Sequence, residues 1–185
     1  MRHPKILDPT SSVLVVIDIQ ESFRTVIPDF DRVAERASIA VRGFHSLDLP
    51  IIVTEQYPKG LGLTAGEING VLPNDLEVIE KTAFSACGTE SFQARLKETK
   101  ALQIALCGFE THVCVSQTAH DLLDDGFEVH LLTDVTGSRS DRDKQTGLAK
   151  MHMSGVVPSS VEMALFELMS RSNHEKFKDI QSLIK

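Results

Sequence analysis

Ala105-Leu106-Cys107-Gly108-Phe109-Glu110-Thr111-His112-Val113-Cys114-Val115 is the stretch on which the fold of this chain turns. An apolar, strand-like segment over residues 101–107 stops at Gly108. A short polar turn follows, and a helical pattern then opens with Cys114 in its first turn. Val115, Thr118, Ala119 and Leu122 continue one face of that helix. A thiol in this position meets the positive end of a helix dipole and unpaired backbone N–H groups. Both lower its pKa and favour the thiolate, the nucleophilic form. The same N–H groups can stabilise an oxyanion formed when sulfur attacks a carbonyl. The same residues also fit a small buried hydrophobe near a helix start, since free cysteine is among the most buried residue types.

Working outward, strand and helix signals alternate along the chain. Residues 12–18 read as an apolar strand, Val-Leu-Val-Val-Ile, ending in Asp18. Helical spacing over 31–47 places Val33, Ala37, Ala40, Val41 and Phe44 on one face, and Pro50 opens a strand over 51–54. Residues 55–74 carry Gly and Pro without a clean period and read as a long loop, the kind that is usually functional or mobile. A strand over 76–80, a helix over 89–97 and a strand over 127–133 follow. Ser140 with Asp143, and Ser159 with Glu162, match capping boxes, and residues 155–157 between those helices suit a short outer strand. Residues 161–169 are helical, and the polar tail over 173–185 either packs on a neighbouring subunit or frays. Buried apolar strands alternating with helices predict an α/β fold, a three-layer α/β/α sandwich around a mainly parallel, Rossmann-like six-stranded sheet.

The composition fits one such domain over residues 1–185. The chain has 185 residues, 42% hydrophobic and 24% charged, with a net charge of −7. That charge disfavours nucleic acid or an anionic membrane surface as partner, because both need a basic patch. No apolar run approaches a membrane span, and no hydrophobic region behind the first residues suggests a secretory signal. Three cysteines, Cys87, Cys107 and Cys114, form no C-x-x-C pair, so a reducing, cytoplasmic compartment is expected, with mitochondrial import left open. The scattered histidines offer no structural zinc pattern, and neither a metal nor another cofactor is expected.

In open parallel sheets, ligands bind beyond the carboxyl ends of the strands, near a topological switch point. Asp18 ends the first strand, Lys81 follows the strand over 76–80, and Cys114 follows the strand over 101–107. An acid, a base and a thiol therefore share one sheet edge. Lysine favours the thiolate by Coulomb attraction, and aspartate can accept the thiol proton and return it to a leaving amine. The alternative is a structural Asp18–Lys81 salt bridge beneath the strand ends.

The chain resembles the isochorismatase-like cysteine hydrolases, which include nicotinamidases, N-carbamoylsarcosine amidases and isochorismatase-domain proteins. The resemblance rests on Val15-Val16-Ile17-Asp18-Ile19-Gln20 with Phe23, on Glu80-Lys81-Thr82-Ala83-Phe84-Ser85-Ala86, and on Gly108-Phe109-Glu110-Thr111-His112-Val113-Cys114-Val115 with Thr118-Ala119 behind it. It covers residues 12–169. It implies Asp18 as proton acceptor, Lys81 as charge stabiliser, Cys114 as nucleophile, and a non-proline cis peptide between Phe109 and Glu110 that turns backbone N–H groups toward the substrate oxygen. The implied reaction is hydrolysis of a C–N bond in a small amide-type molecule through a thioester, in a homo-oligomeric protein.

Departures narrow this. Nicotinamidases hold a metal with an aspartate and two histidines after the second strand, whereas Glu55-Gln56-Tyr57-Pro58-Lys59-Gly60-Leu61-Gly62 contains no histidine. Isochorismatases that cleave a vinyl ether lack the cysteine. The 54–62 run is similar to the isochorismatase-domain subgroup, some protist members of which carry a mitochondrial ribonuclease label; neither the acidic charge nor a thiol suits RNA cleavage. A non-catalytic interaction protein that keeps the fold is the contrasting reading. Gln20, Phe23, Tyr57, Phe84 and His112 are candidate substrate-binding residues because each lies in or beside a matched motif. Cys107, in an apolar strand, and Cys87, in a turn without a base, are expected to be inert. Glu110 would raise the thiol pKa if close, so it is expected to point elsewhere and be hydrogen-bonded.

Overall fold

A computed structural model describes residues 3–185. Six strands, β1 (Ser12–Ile17), β2 (Ile51–Gln56), β3 (Ile79–Lys81), β4 (Gln103–Phe109), β5 (Glu128–Gly137) and β6 (Val157–Ser159), form one sheet in the order β3-β2-β1-β4-β5-β6. Every neighbouring pair is parallel. The helices are α1 (Phe30–Ser46), α2 (Pro58–Leu61), α3 (Gly66–Asn69), α4 (Glu90–Thr99), α5 (Ser116–Asp124), α6 (Asp141–Met153), α7 (Val161–Met169) and α8 (Phe177–Ile184).

The period of two along a strand divides the core between two layers. Leu14 and Val16 of β1, Ala105, Cys107 and Phe109 of β4 and Leu132 of β5 pack with α1, α7 and α8. Val13, Val15 and Ile17, with Ile104, Leu106 and Leu131, pack with α4, α5 and α6. All six residues of β1 are buried, which explains why a continuous apolar run rather than an alternating one encodes it. Chain direction reverses its lateral progress between β1 and β4, since β2 and β3 lie to one side and β5 and β6 to the other. This is the switch point, and it places the crevice beyond Ile17 and Phe109.

Gly108 makes the close approach there possible. Its φ is +128°, and a Cβ on it would stand 2.0 Å from the Ile17 carbonyl oxygen. On its other side β4 loses step with β5: Leu106 pairs Leu131, but Gly108 pairs Thr136. The extra β5 residues form a bulge that aims Asp134 at α1 and α7, where its carboxylate accepts from Arg36 Nη2 (2.8 Å) and the Val161 N–H (3.0 Å).

Four expectations need correction. Residues 55–74 are not a featureless loop: β2 reaches Gln56, α2 and α3 are single helical turns, and Gln20 and Thr64 form an antiparallel bridge. The third strand is only Ile79–Lys81, because Leu76 and Val78 pack against the core from outside the ladder. The cap of α7 is Ser160, whose side chain accepts from the Met163 N–H at 3.2 Å, one residue beyond the Ser159 reading. The tail is not frayed, for α8 lies on α1 with Ile180 buried and Phe177, Leu183 and Ile184 against the same core. Ser140 caps α6 as the sequence indicates, accepting from the Asp143 N–H. No helix among the described residues is long and apolar enough to cross a membrane.

Candidate active site

Asp18 follows β1 with φ +51°, a left-handed conformation that short polar residues tolerate. The bend lifts its carboxylate out of the ladder while its N–H still donates to the Thr54 carbonyl at 3.1 Å. One carboxylate oxygen, Oδ1, accepts from Thr54 Oγ1 at 2.7 Å, and Oδ2 accepts from Lys81 Nζ at 2.6 Å. Lys81 reaches across the end of β2 from β3. Its ammonium also donates to Gln56 Oε1 (2.8 Å) and to the Ala83 and Phe84 carbonyls (3.2 and 3.1 Å). The side chains of Lys81 and Asp18 are 0% and 1% exposed, so this is a buried ion pair with its remaining donors satisfied. The salt bridge anticipated as an alternative is present, and both of its members act on the Cys114 thiol: Asp18 raises its pKa and Lys81 lowers it.

Cys114 lies in a wide turn, Thr111–Val115, that runs directly into α5. The turn is closed by Glu110, whose carbonyl accepts from the Val113 and Val115 N–H groups at 3.0 and 3.2 Å. The Phe109–Glu110 peptide bond is cis. The expectation of a lowered thiol pKa does not hold in this resting arrangement. Burial pushes the Cys114 thiol up to about 12, Asp18 adds to the rise, and Lys81 opposes it. Burial likewise raises the Asp18 carboxyl, against the lowering effects of Lys81, Thr54 and the thiol itself. Desolvation is the largest influence on the thiol here. In the resting arrangement burial thus favours the protonated thiol over a preformed thiolate. Cys107 is fully buried and its thiol is pushed up by desolvation; Cys87 is pushed to about 11 for the same reason.

The other candidates fall into different places. Gln20 is fully buried and its amide is occupied by backbone: Nε2 donates to the Gln56 and Gly62 carbonyls, and Oε1 accepts from the Gln56 N–H. It braces the β1 and β2 ends, which corrects its reading as a substrate contact. Phe23 packs edge-on to Phe109, with ring centroids 6.1 Å apart, as part of the core wall. Tyr57 and Phe84 are exposed, at 55% and 56%. Tyr57 has φ +37° and lays its ring over Gly60, where a Cβ would be only 2.7 Å from ring carbon Cδ1. His112 is half-buried, its Nδ1 paired with Ser138 Oγ at 3.0 Å. Glu110 is buried and hydrogen-bonded to Arg139, in line with the expectation.

Thr54 and Gln56 were missed by sequence reasoning although they bond Asp18 and Lys81 respectively. Applying the strand-end rule to β2, which lies between β1 and β3, would have found them. Among the described residues no three His, Cys, Asp or Glu side chains converge as a metal-holding group.

Chemically, the arrangement can pass a proton between sulfur and carboxylate while a fixed cation stabilises the charge on the carboxylate. The isochorismatase domain model matches residues 12–163. Isochorismatase domain-containing protein 2 of Danio rerio is 40% identical over 179 residues, covering 96% of this chain and 89% of the relative. Isochorismatase domain-containing protein 1 of the same fish is 39% identical over 180 residues, 97% of this chain but only 62% of the relative's length. Among solved structures, the MAR1 ribonuclease from Caenorhabditis elegans superposes with a TM-score of 0.92 at 37% identity, covering 97% of this chain and 92% of that one. With the parallel sheet, its switch-point crevice and these matches in agreement, this chain belongs to the isochorismatase family and carries its hydrolase fold.

Proposed function

We propose that this protein is a cysteine hydrolase that cleaves a C–N bond of a small amide-type substrate. The observation that carries the reading is one buried carboxylate, Asp18, paired with Lys81 at 2.6 Å and electrostatically coupled to the Cys114 thiol at the head of α5. Asp18 takes the thiol proton as Sγ bonds to the substrate carbonyl carbon. Backbone N–H groups of the Thr111–Val115 turn serve the oxyanion. The C–N bond then breaks as Asp18 returns the proton to the departing amine, leaving a thioester. Water, deprotonated by Asp18, attacks that thioester, and the proton restores the thiol as the acid leaves. Lys81 keeps Asp18 oriented and offsets the charge through each transfer. A raised thiol pKa suits this sequence, because the proton need leave only as the new bond forms.

The test is chemical labelling followed by trapping. Iodoacetamide at neutral pH is expected to alkylate Cys114 faster than Cys87 or Cys107, and Asp18→Asn to abolish the preference. A panel of small amides should leave a substrate-dependent acyl adduct on Cys114, absent in Cys114→Ser. Equal labelling of the three cysteines, or hydrolysis that survives Cys114→Ser, refutes the proposal. The activity named for the Caenorhabditis elegans neighbour makes RNA cleavage the second reading, assayed on the same samples; a net charge of −7 weighs against it. A homo-oligomer in the cytoplasm completes the proposal; for the oligomer alone, an Escherichia coli protein of the same fold, 22% identical, is an octameric hydrolase.

A further inference from the structure

The Cys114 turn and the end of β4 leading into it are stitched to the end of β5 and to the segment that leads on to α6. Thr136 Oγ1 donates to the Gly108 carbonyl at 2.9 Å, and Thr111 Oγ1 lies 2.7 Å from Thr136 Oγ1 and donates to the Gly137 carbonyl at 3.0 Å. His112 Nδ1 meets Ser138 Oγ. The last stitch differs in kind. Glu110 Oε1 accepts from both the Arg139 N–H (3.0 Å) and Arg139 Nε (3.1 Å), an ion pair whose carboxylate side chain is 8% exposed and whose guanidinium side chain is 61% exposed.

Glu110 thus grips the turn from two directions. Its carbonyl binds the N–H groups of Val113 and Val115, the residues on either side of Cys114. Its carboxylate fixes the same residue to the β5–α6 segment. Charge-assisted hydrogen bonds are roughly twice as strong as neutral ones, so this is the firmest of the four stitches. A shift of Glu110 is passed directly to the main chain around the thiol.

We infer that Glu110 is a positioning residue for Cys114, held in place by Arg139 through its two-donor contact. This rests on the cysteine-hydrolase reading. The groups that bear on the thiol are then Asp18 and Lys81 directly, and Glu110 with Arg139 through the turn. A misplacement of about 1 Å at a reacting group can cost about 10²-fold in rate.

The experiment measures the rate of Cys114 alkylation by iodoacetamide, by peptide mass, in the full chain and three variants. Glu110→Ala removes the acceptor and is expected to slow alkylation by about 10- to 100-fold. Glu110→Gln keeps an oxygen acceptor for both Arg139 donors and is expected to recover the rate to within about threefold of wild type. Arg139→Ala alters an exposed side chain, so it should fold even where Glu110→Ala does not, and is expected to slow alkylation by about three- to tenfold. Alkylation of Arg139→Ala at the wild-type rate or faster overturns the inference, as does a glutamine variant as slow as the alanine one. If wild-type Cys114 reacts no faster than Cys87, the hydrolase reading itself falls, which separates the two failures.

Discussion

Lys81→Met tests the buried ion pair on which the site is built. Methionine nearly matches the volume of lysine, so cavity formation contributes little and the loss is electrostatic. The variant removes four hydrogen bonds from Nζ and leaves Asp18, 1% exposed, with Thr54 Oγ1 as its remaining side-chain donor. Breaking a buried pair by deleting one partner costs about 3–5 kcal/mol. For a chain of this size that corresponds to a fall in Tm of roughly 6–20 °C. The pH dependence gives the sharper test. Burial already raises the Asp18 carboxyl and Lys81 is the largest opposing influence, so the variant raises it further. An acid whose folded pKa lies above its unfolded value binds more protons when folded, and its ionisation destabilises the fold as pH rises from the unfolded pKa through the folded one. The cost of Lys81→Met should therefore be larger at pH 8 than at pH 5. Urea unfolding at the two pH values reads this directly. An equal cost at both, or a variant as stable as wild type at pH 8, would refute the picture of Lys81 as the counter-charge that favours the ionised form of Asp18.

Other perturbations probe the scaffold. A Cβ on Gly147 of α6 would meet His112 Cα at 2.9 Å and His112 N at 3.2 Å, so Gly147→Ala should cost about 1–3 kcal/mol in urea unfolding and also slow Cys114 alkylation; a stability loss with an unchanged alkylation rate would show that α6 does not bear on the turn. His130 is buried, with Nε2 unpartnered, and burial lowers its pKa from 6.5 to about 4, against a backbone hydrogen bond involving Pro4. A base with a lowered folded pKa stays neutral in the fold while the unfolded chain takes up a proton. Its stability loss begins as pH falls below 6.5, is complete near 4 and amounts to about 3 kcal/mol. His130→Leu should flatten that part of the stability profile, and an unaltered profile would assign the acid sensitivity to other groups.

What the sequence carried, it carried through burial pattern. β1 and α7 were legible almost to the residue because one is apolar throughout and the other repeats its apolar face every third or fourth residue. Residues 55–74 were not, because their order comes from distant side chains. Glu55 Oε1 accepts from Thr64 Oγ1 and from its N–H, Glu21 Oε1 accepts from the Gly66 N–H, and Arg24 joins Glu21, Asp31 and Glu67. No local period records such contacts. At the site, the strand-end rule brought Asp18, Lys81 and Cys114 to one edge. It did not reveal that Lys81 spans β2 to reach Asp18, nor that Thr54 and Gln56 stand beneath that span. The thiol pKa was misjudged because helix-terminus effects are visible in sequence, whereas desolvation depends on how completely the crevice closes.

The brace across residues 55–67 separates two tasks that could have been entangled. Gln20, Glu55 and Glu21 hold main-chain groups of the insert, Arg24 pairs with its Glu67 side chain, and none of them is Asp18, Lys81 or Cys114. The insert displays Tyr57 and Leu63 outward, at 55% and 67% exposed. These two side chains can therefore change in size or polarity without moving Asp18, Lys81 or Cys114. Changes at this exposed edge are thereby separable from the buried Asp18–Lys81 pair beneath it.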